Sequence, residues 1–247
     1  MPRLWLRAQN VLIGILGLGL LSLLSLQPSS ARDKQSIPVV RWDQQTPGCT
    51  FSHTDDGKLH YGLWSGDAGL TISIDSQELE KVRRRHESFF AVLLNVRYRG
   101  QDGLDISAES VSLEFVSHFK VVQTSLDPDA FAQKIQDDAD QMDRSIAREI
   151  QKHPETKSAK EIYMRTFQKD TAELLEFVSK RSLRPARLSP GNQEANGWVL
   201  FEVNNKWIEK WKKQEEFILR VPLDGKMFEF PFTLPPGAAD IRLRRRD

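Results

Sequence analysis

A single cysteine, Cys49, is all the thiol chemistry in this chain of 247 residues. No internal disulfide can form, so the folded state depends on its apolar core, or Cys49 pairs with another chain. An excess of one charge is missing as well. The 35 basic and 34 acidic residues leave a net charge of +1 at pH 7. Nucleic-acid binding needs a clustered positive field, so no nucleic-acid partner is expected. Catalytic signatures are absent too: there is no G-x-S-x-G elbow, no H-E-x-x-H, no D-x-D-x-D-G calcium loop and no glycine-rich phosphate loop. The expectation is a non-enzymatic chain without a cofactor. The alternative is a hydrolytic or metal-dependent site assembled from distant loops.

Long apolar runs are scarce, and the one that exists sits at the start. Val11 to Leu26, "VLIGILGLGLLSLLSL", follows Arg3 and Arg7 and is broken by Pro28. Ser29-Ser30-Ala31 then supplies the small residues of a cleavage site, completing the pattern of a secretory signal. The run is shorter than the roughly 20 residues that span a bilayer comfortably. Cleavage is expected after Ala31, and an uncleaved membrane anchor is the alternative. No cysteine follows closely to take a lipid. Loss of residues 1–31 removes two basic side chains, which leaves the mature chain near neutrality. The expected location is periplasmic or secreted.

What remains reads mostly as strands. Leu70, Ile72 and Ile74 alternate with Thr71, Ser73 and Asp75. In "FFAVLLNVRYRG", Phe90, Val92, Leu94, Val96 and Tyr98 share one face, while Asn95, Arg97 and Arg99 mark the other as polar. Such period-two patterning lays one face on a core. "VSLEFV" repeats it with Val111, Leu113 and Phe115. Later segments follow suit: Val199, Phe201 and Val203; then Phe217, Leu219 and Val221; then Phe228, Phe230 and Phe232. Asp224-Gly225 is a hairpin turn between the last two. Pro231 suggests that the final strand lies at a sheet edge.

Between these groups the period changes. Asp127-Pro128 is a helix entry, and Phe131, Ile135, Ala139, Met142, Ile146 and Ile150 recur at spacings of three and four. His153-Pro154 ends that helix. A second begins at Ser158, where "SAKE" reads as a capping box, with the stripe Tyr163, Phe167, Leu174 and Val178. The expected organisation is one domain over 32–247. Strands at about 38–126 and 186–234 form a β-sandwich, an αα-hairpin is inserted at 127–182, and residues 235–247 form a basic, disordered tail.

Two stretches, "FFAVLLNVRYRG…LDISAESVSLEFV" and "LSPGNQEANGWVLFEV…EEFILRVPLDGKMFEFPFTLPP", resemble the immunoglobulin-like, telokin-like sandwich of secreted bacterial proteins. The resemblance covers Phe89–Val116 and Leu188–Leu234. It implies an immunoglobulin-like antiparallel sandwich and an envelope module for binding or structure. The hairpin at 127–182 and the Trp-rich stretch at 204–213 depart from that pattern.

Several constellations carry candidate chemistry. Cys49, His53 and His60 are a weak metal candidate, a thiolate and two imidazoles. Their spacing fits no compact zinc template, and Asp55-Asp56-Gly57 reads as a turn that makes the histidines surface residues of neighbouring strands. Asp137, Asp138, Asp140 and Asp143 crowd one helix. The expected reading is a solvated face, with Arg144 as salt partner of Asp140. Trp207 and Trp211, flanked by Lys206, Lys210, Lys212 and Lys213, suit either a membrane or glycan surface or the edge of the sandwich, and packing on the sandwich is favoured. Arg83-Arg84-Arg85-His86 and the Arg242–Arg246 run are the basic clusters. Ile162, Met164, Leu175 and Phe177 fall off the two helical stripes. They are expected to meet a protein partner or a second copy of the chain, against the simpler alternative of packing within the chain.

Overall fold

A computed structural model describes residues 37–75, 89–117, 120–203 and 214–234, which belong to one compact unit, Ile37–Asp247. The expected signal segment, the Arg83–His86 cluster, His118, the Trp207 and Trp211 stretch and the basic tail lie outside the described residues.

The chain is mainly β with one long helical hairpin. Strands β1 (Val39–Arg41), β2 (Cys49–His53), β3 (Lys58–Ser65), β4 (Ala68–Asp75) and β5 (Phe89–Tyr98) come first. Short strands β6 (Leu104–Ile106), β7 (Ser112–Phe115) and β8 (Val121–Thr124) lead into helices α1 (Pro128–Lys152) and α2 (Lys157–Arg181). Strands β9 (Ala186–Leu188), β10 (Glu194–Glu202), β11 (Glu215–Leu223) and β12 (Lys226–Leu234) follow. They form two five-stranded sheets, β1-β12-β11-β7-β8 and β10-β5-β4-β3-β2, and a small β6-β9 pair.

The alternating residues do what their period demands. Phe90, Val92, Leu94 and Val96 of β5 and Leu70, Ile72 and Ile74 of β4 share one buried cluster with Phe217, Leu219 and Val221 of β11 and Phe228, Phe230 and Phe232 of β12. Phe90 of one sheet stacks at 5.5 Å on Phe217 of the other, which stacks at 5.1 Å on Phe232. Such ring pairs add about 0.5–1.5 kcal/mol each beyond the area they bury. The Asp224-Gly225 turn has positive φ at both residues, 52° and 66°. That twist suits a two-residue hairpin between right-twisted strands.

Pro231 corrects one expectation. β12 is not an edge strand, because β1 pairs with it in parallel. β1 reaches only Met227 to Glu229, however, so Pro231 lies past the end of that pairing. The missing N–H is tolerated by a local edge rather than a whole one.

The hairpin starts as expected, with the Asp127 side chain accepting from the Asp129 amide at 3.1 Å and Pro128 in the first turn. The second helix does not use the "SAKE" capping box. Pro154–Thr156 forms a 3-10 turn, and α2 begins at Lys157 with no side-chain cap. Pro154 sets a helical φ at once, so the turn runs straight into α2 and leaves no extended residue to act as N-cap. Ser158 is already inside the helix, and Glu161 instead pairs with Lys157 at 3.9 Å.

The outer face of β5 is only partly polar. Phe89 and Ala91, with Leu200 of β10, form a second buried cluster with Phe131 and Ile135 of α1 and Leu174 and Val178 of α2. This is the root of the hairpin. Beyond it, Ile146 and Phe167 are still buried, while Ile162 and Tyr163 are 58% and 47% exposed. Each helix of 25 residues runs about 37 Å. The root engages α1 only as far as Ile135 and α2 only from Leu174 onward.

Candidate functional site

The strand register separates the metal candidates. Cys49 pairs with Leu63 and packs against the core, and His53, in register with Leu59, is exposed at the end of β2. His60 pairs with Ser52 and therefore points to the opposite face. Cys49 and His53 are themselves about 13 Å apart along the strand. Among the described residues no three His, Cys, Asp or Glu side chains gather as a metal site would require.

His60 has another partner. Its Nδ1 lies 2.6 Å from Oγ of the buried Ser73, and Nε2 lies 3.4 Å from Thr54 Oγ1. Thr54 in turn donates to Asp56, whose carboxyl is held well below the usual carboxylate range by its bonds to Lys58 and Thr54. A serine bonded to an imidazole is the start of a nucleophilic pair, but Thr54, and not a carboxylate, stands at the second nitrogen. Both residues lie on one hairpin: the Gly66-Asp67 turn sets Ser65 opposite Ala68, and counting back along the strands sets His60 opposite Ser73.

Burial holds the His60 pKa below its ordinary 6.5, and the nearby Asp56 charge pulls the other way. The folded state thus favours the neutral ring, while the unfolded chain takes up a proton more readily. Stability from this group is present above about pH 6.5 and is lost as pH falls below it. The melting temperature of the wild type should drop more between pH 7 and pH 5 than that of His60→Gln (both pH values being approximate bounds of the histidine range). Parallel pH curves for the two proteins would show that His60 titrates normally.

Two further polar clusters hold the sheets. On the outer face of the first sheet, Arg220 Nε bonds Glu229 at 2.9 Å, its Nη2 meets Glu114 at 2.6 Å, and Arg41 reaches Glu229 at 3.0 Å. Burial alone would lower the Arg220 pKa, and the bonds to Glu229 and Glu114 raise it. Glu215 is fully buried and accepts from the Ser117 amide at 2.7 Å. Beside β6 and β9, Asp105, Ser107, Ser110, Pro185 and Arg187 line a shallow groove of about 440 Å³, in which Arg187 Nη1 bonds both Asp105 oxygens at 3.1 and 2.9 Å.

The hairpin divides the partner candidates. Phe177 does not wait for a partner: its ring packs at 5.7 Å on Trp198, and it joins the root cluster with Leu175. Two helices alone would have left these side chains uncovered, but the sheet is the third surface. Met164 is half-buried. Ile162 is exposed. Tyr163, assigned to the covered stripe, stacks at 6.2 Å on Phe167 and keeps nearly half its surface exposed. Asp140 does not pair with Arg144. It accepts from Gln136 Nε2 at 2.9 Å, while Asp138 pairs with Lys134 at 3.1 Å.

No protein-family model matches the chain, and no curated protein matches it. The immunoglobulin-like, telokin-like resemblance therefore has no family match behind it. A solved structure described as a "putative lipoprotein (ycdA)" from Bacillus subtilis aligns at 11% identity and a TM-score of 0.31. The alignment covers 76% of this chain and 39% of that one, so the chain spans well under half of that protein's length. At that TM-score the likeness carries no argument about fold or function.

Proposed function

We propose that the chain is an exported, non-catalytic module of the bacterial cell envelope, with an immunoglobulin-like sandwich as the base and the hairpin as its recognition arm. The observation that carries the reading is the hairpin itself. Its root is buried against β5 and β10, while its distal half presents Ile162 and Tyr163 to solvent. A long element anchored at one end and open at the other suits contact with a protein, glycan or membrane surface. The two five-stranded sheets with a shared phenylalanine core support the sandwich.

Photo-crosslinking in cells tests the arm. A photoreactive side chain at Ile162 or Tyr163 should give a defined adduct, and one at the exposed Gln193, which precedes β10, should not. Excising Gln141–Lys169 and closing the helices with a short turn should keep the fold and lose whatever the adduct identifies. Equal adducts from all positions, or none, would sink the recognition arm. Export has its own test: mass spectrometry of the exported protein should find Arg32 at the N-terminus, and a full-length product held in the membrane would favour an anchor.

A further inference from the structure

We infer that the arm pairs with the arm of a second copy, α1 against α1, antiparallel about a two-fold axis that crosses the solvent face of α1 between Asp140 and Arg144. The inference rests on the recognition-arm reading and names the arm's occupant. Opposite the buried stripe of α1 runs a solvent stripe, Gln133, Asp137, Asp140, Arg144, Arg148 and Lys152, spaced by three and four residues and exposed throughout. Its sign changes once, from acidic toward the root to basic toward the tip.

Most of the hairpin neutralises its carboxylates, Asp143 with its bond from Gln168 at 3.3 Å being an exception off the stripe. Asp129 pairs with Arg184, Asp138 with Lys134, Glu149 with Lys160 and Glu176 with Lys180. The stripe does not. Asp137 and Asp140 accept only from glutamines, Gln133 and Gln136, each at 2.9 Å. Arg148 Nε donates to the Arg144 carbonyl at 3.1 Å. Among the described residues none of Asp137, Asp140, Arg144, Arg148 and Lys152 has an ion pair.

A two-fold antiparallel pairing gives an opposite charge to four of them and a glutamine to Lys152. Asp137 of one copy then faces Arg148 of the other, Asp140 faces Arg144, and Gln133 faces Lys152, each contact occurring twice. An in-register parallel pairing would set like charge on like, so the pattern selects the antiparallel one. An anionic membrane would attract the basic half and repel the acidic half of the same stripe, which favours a second copy over a lipid surface. One helix face is a small contact, so the dimer should be weak and salt-sensitive.

Sedimentation equilibrium of the exported protein decides it, using two variants, Asp137→Lys/Asp140→Lys and Arg144→Glu/Arg148→Glu. All four side chains are exposed, so an unchanged melting temperature checks that both variants fold. Wild type should dimerise at low ionic strength and dissociate in about 1 M salt, where the Debye length is about 3 Å. Each variant should weaken its own dimer by about tenfold or more, and mixing the two in equal amounts should restore association. A wild type that stays monomeric at about 100 µM in low salt, variants that dimerise like wild type, or a mixture that fails to associate would each overturn the pairing. So would a monomeric wild type that binds phosphatidylglycerol vesicles through Arg144 and Arg148. In that case adducts at Ile162 or Tyr163 would still stand, which separates failure of the dimer from failure of the arm.

Discussion

Val178→Asp in α2 is expected to free the hairpin from the sheet and leave the strand core folded. Val178 is fully buried in the root cluster, among Phe89, Ala91, Phe131, Ile135, Leu174 and Leu200. A carboxylate there faces apolar side chains, and an unpaired buried charge costs several kcal/mol or more. Detachment relieves that cost by hydrating the carboxylate, and it forfeits the root's apolar burial, about 1.5–3 kcal/mol for each large side chain. The strand core shares no buried side chain with the root: Phe90, Val92 and Leu94 point one way from β5, and Phe89 and Ala91 the other. Hydrogen exchange should therefore show α1 and α2 amides losing protection while those of β4, β5 and β11 keep it, since a helix pair without tertiary support is marginal. Phe131→Ala, which removes the edge-on contact with Phe89 at 5.7 Å, should act the same way but more weakly, by about 3–5 kcal/mol. If strand amides exchange together with helix amides in both variants, root and core are one cooperative unit and the division into two clusters is wrong.

That division also marks what the sequence could and could not convey. β4, β5, β7, β11 and β12 were legible because their side chains alternate, and alternation is a local property. The hairpin was legible because Phe131, Ile135 and Ile146 keep the helical period between Asp127-Pro128 and His153-Pro154. Pairing partners were not legible. Nothing local sets β10 beside β5 across about a hundred intervening residues (Glu194 opposite Arg97), or β1 parallel to β12. Those choices come from which faces find cover, and a shift of one residue would turn every side chain over. Short hairpins are the exception: the turns at 66–67 and 54–57 set His60 opposite Ser73 and put Cys49 and His60 on opposite faces by a local count. Phe177 shows the same limit from the other side: the helical wheel knew about two helices, and the covering sheet lay outside it.

Gly197→Ala should destabilise the protein severely, and Gly191→Ala should not. Both glycines sit in the same stretch, "LSPGNQEANGWVLFEV". A Cβ on Gly191 would meet nothing within 4 Å, and its φ is not positive. The substitution there is neutral or slightly stabilising, because it restricts the unfolded chain. A Cβ on Gly197 would lie 2.4 Å from both the amide nitrogen and the Cα of Leu183, and 2.8 Å from the Ser182 carbonyl carbon. These are backbone atoms and cannot swing aside. They are also fixed: the Leu183 amide donates to the Trp198 carbonyl at 2.9 Å, Ser182 bridges to Trp198, and the Leu183 side chain is buried in the strand core. Here the chain leaves α2 and crosses β10, so Gly197 is where the exit of the hairpin meets the sheet backbone to backbone. Making room means pulling Leu183 from the core and tilting the hairpin root with it, a cost of about 3 kcal/mol by the scale of overpacked cores. For a domain of this size that is a fall of about 10 °C in melting temperature, read by calorimetry on both variants. Equal melting temperatures for Gly197→Ala and Gly191→Ala would mean that α2 does not return to the sheet through this contact.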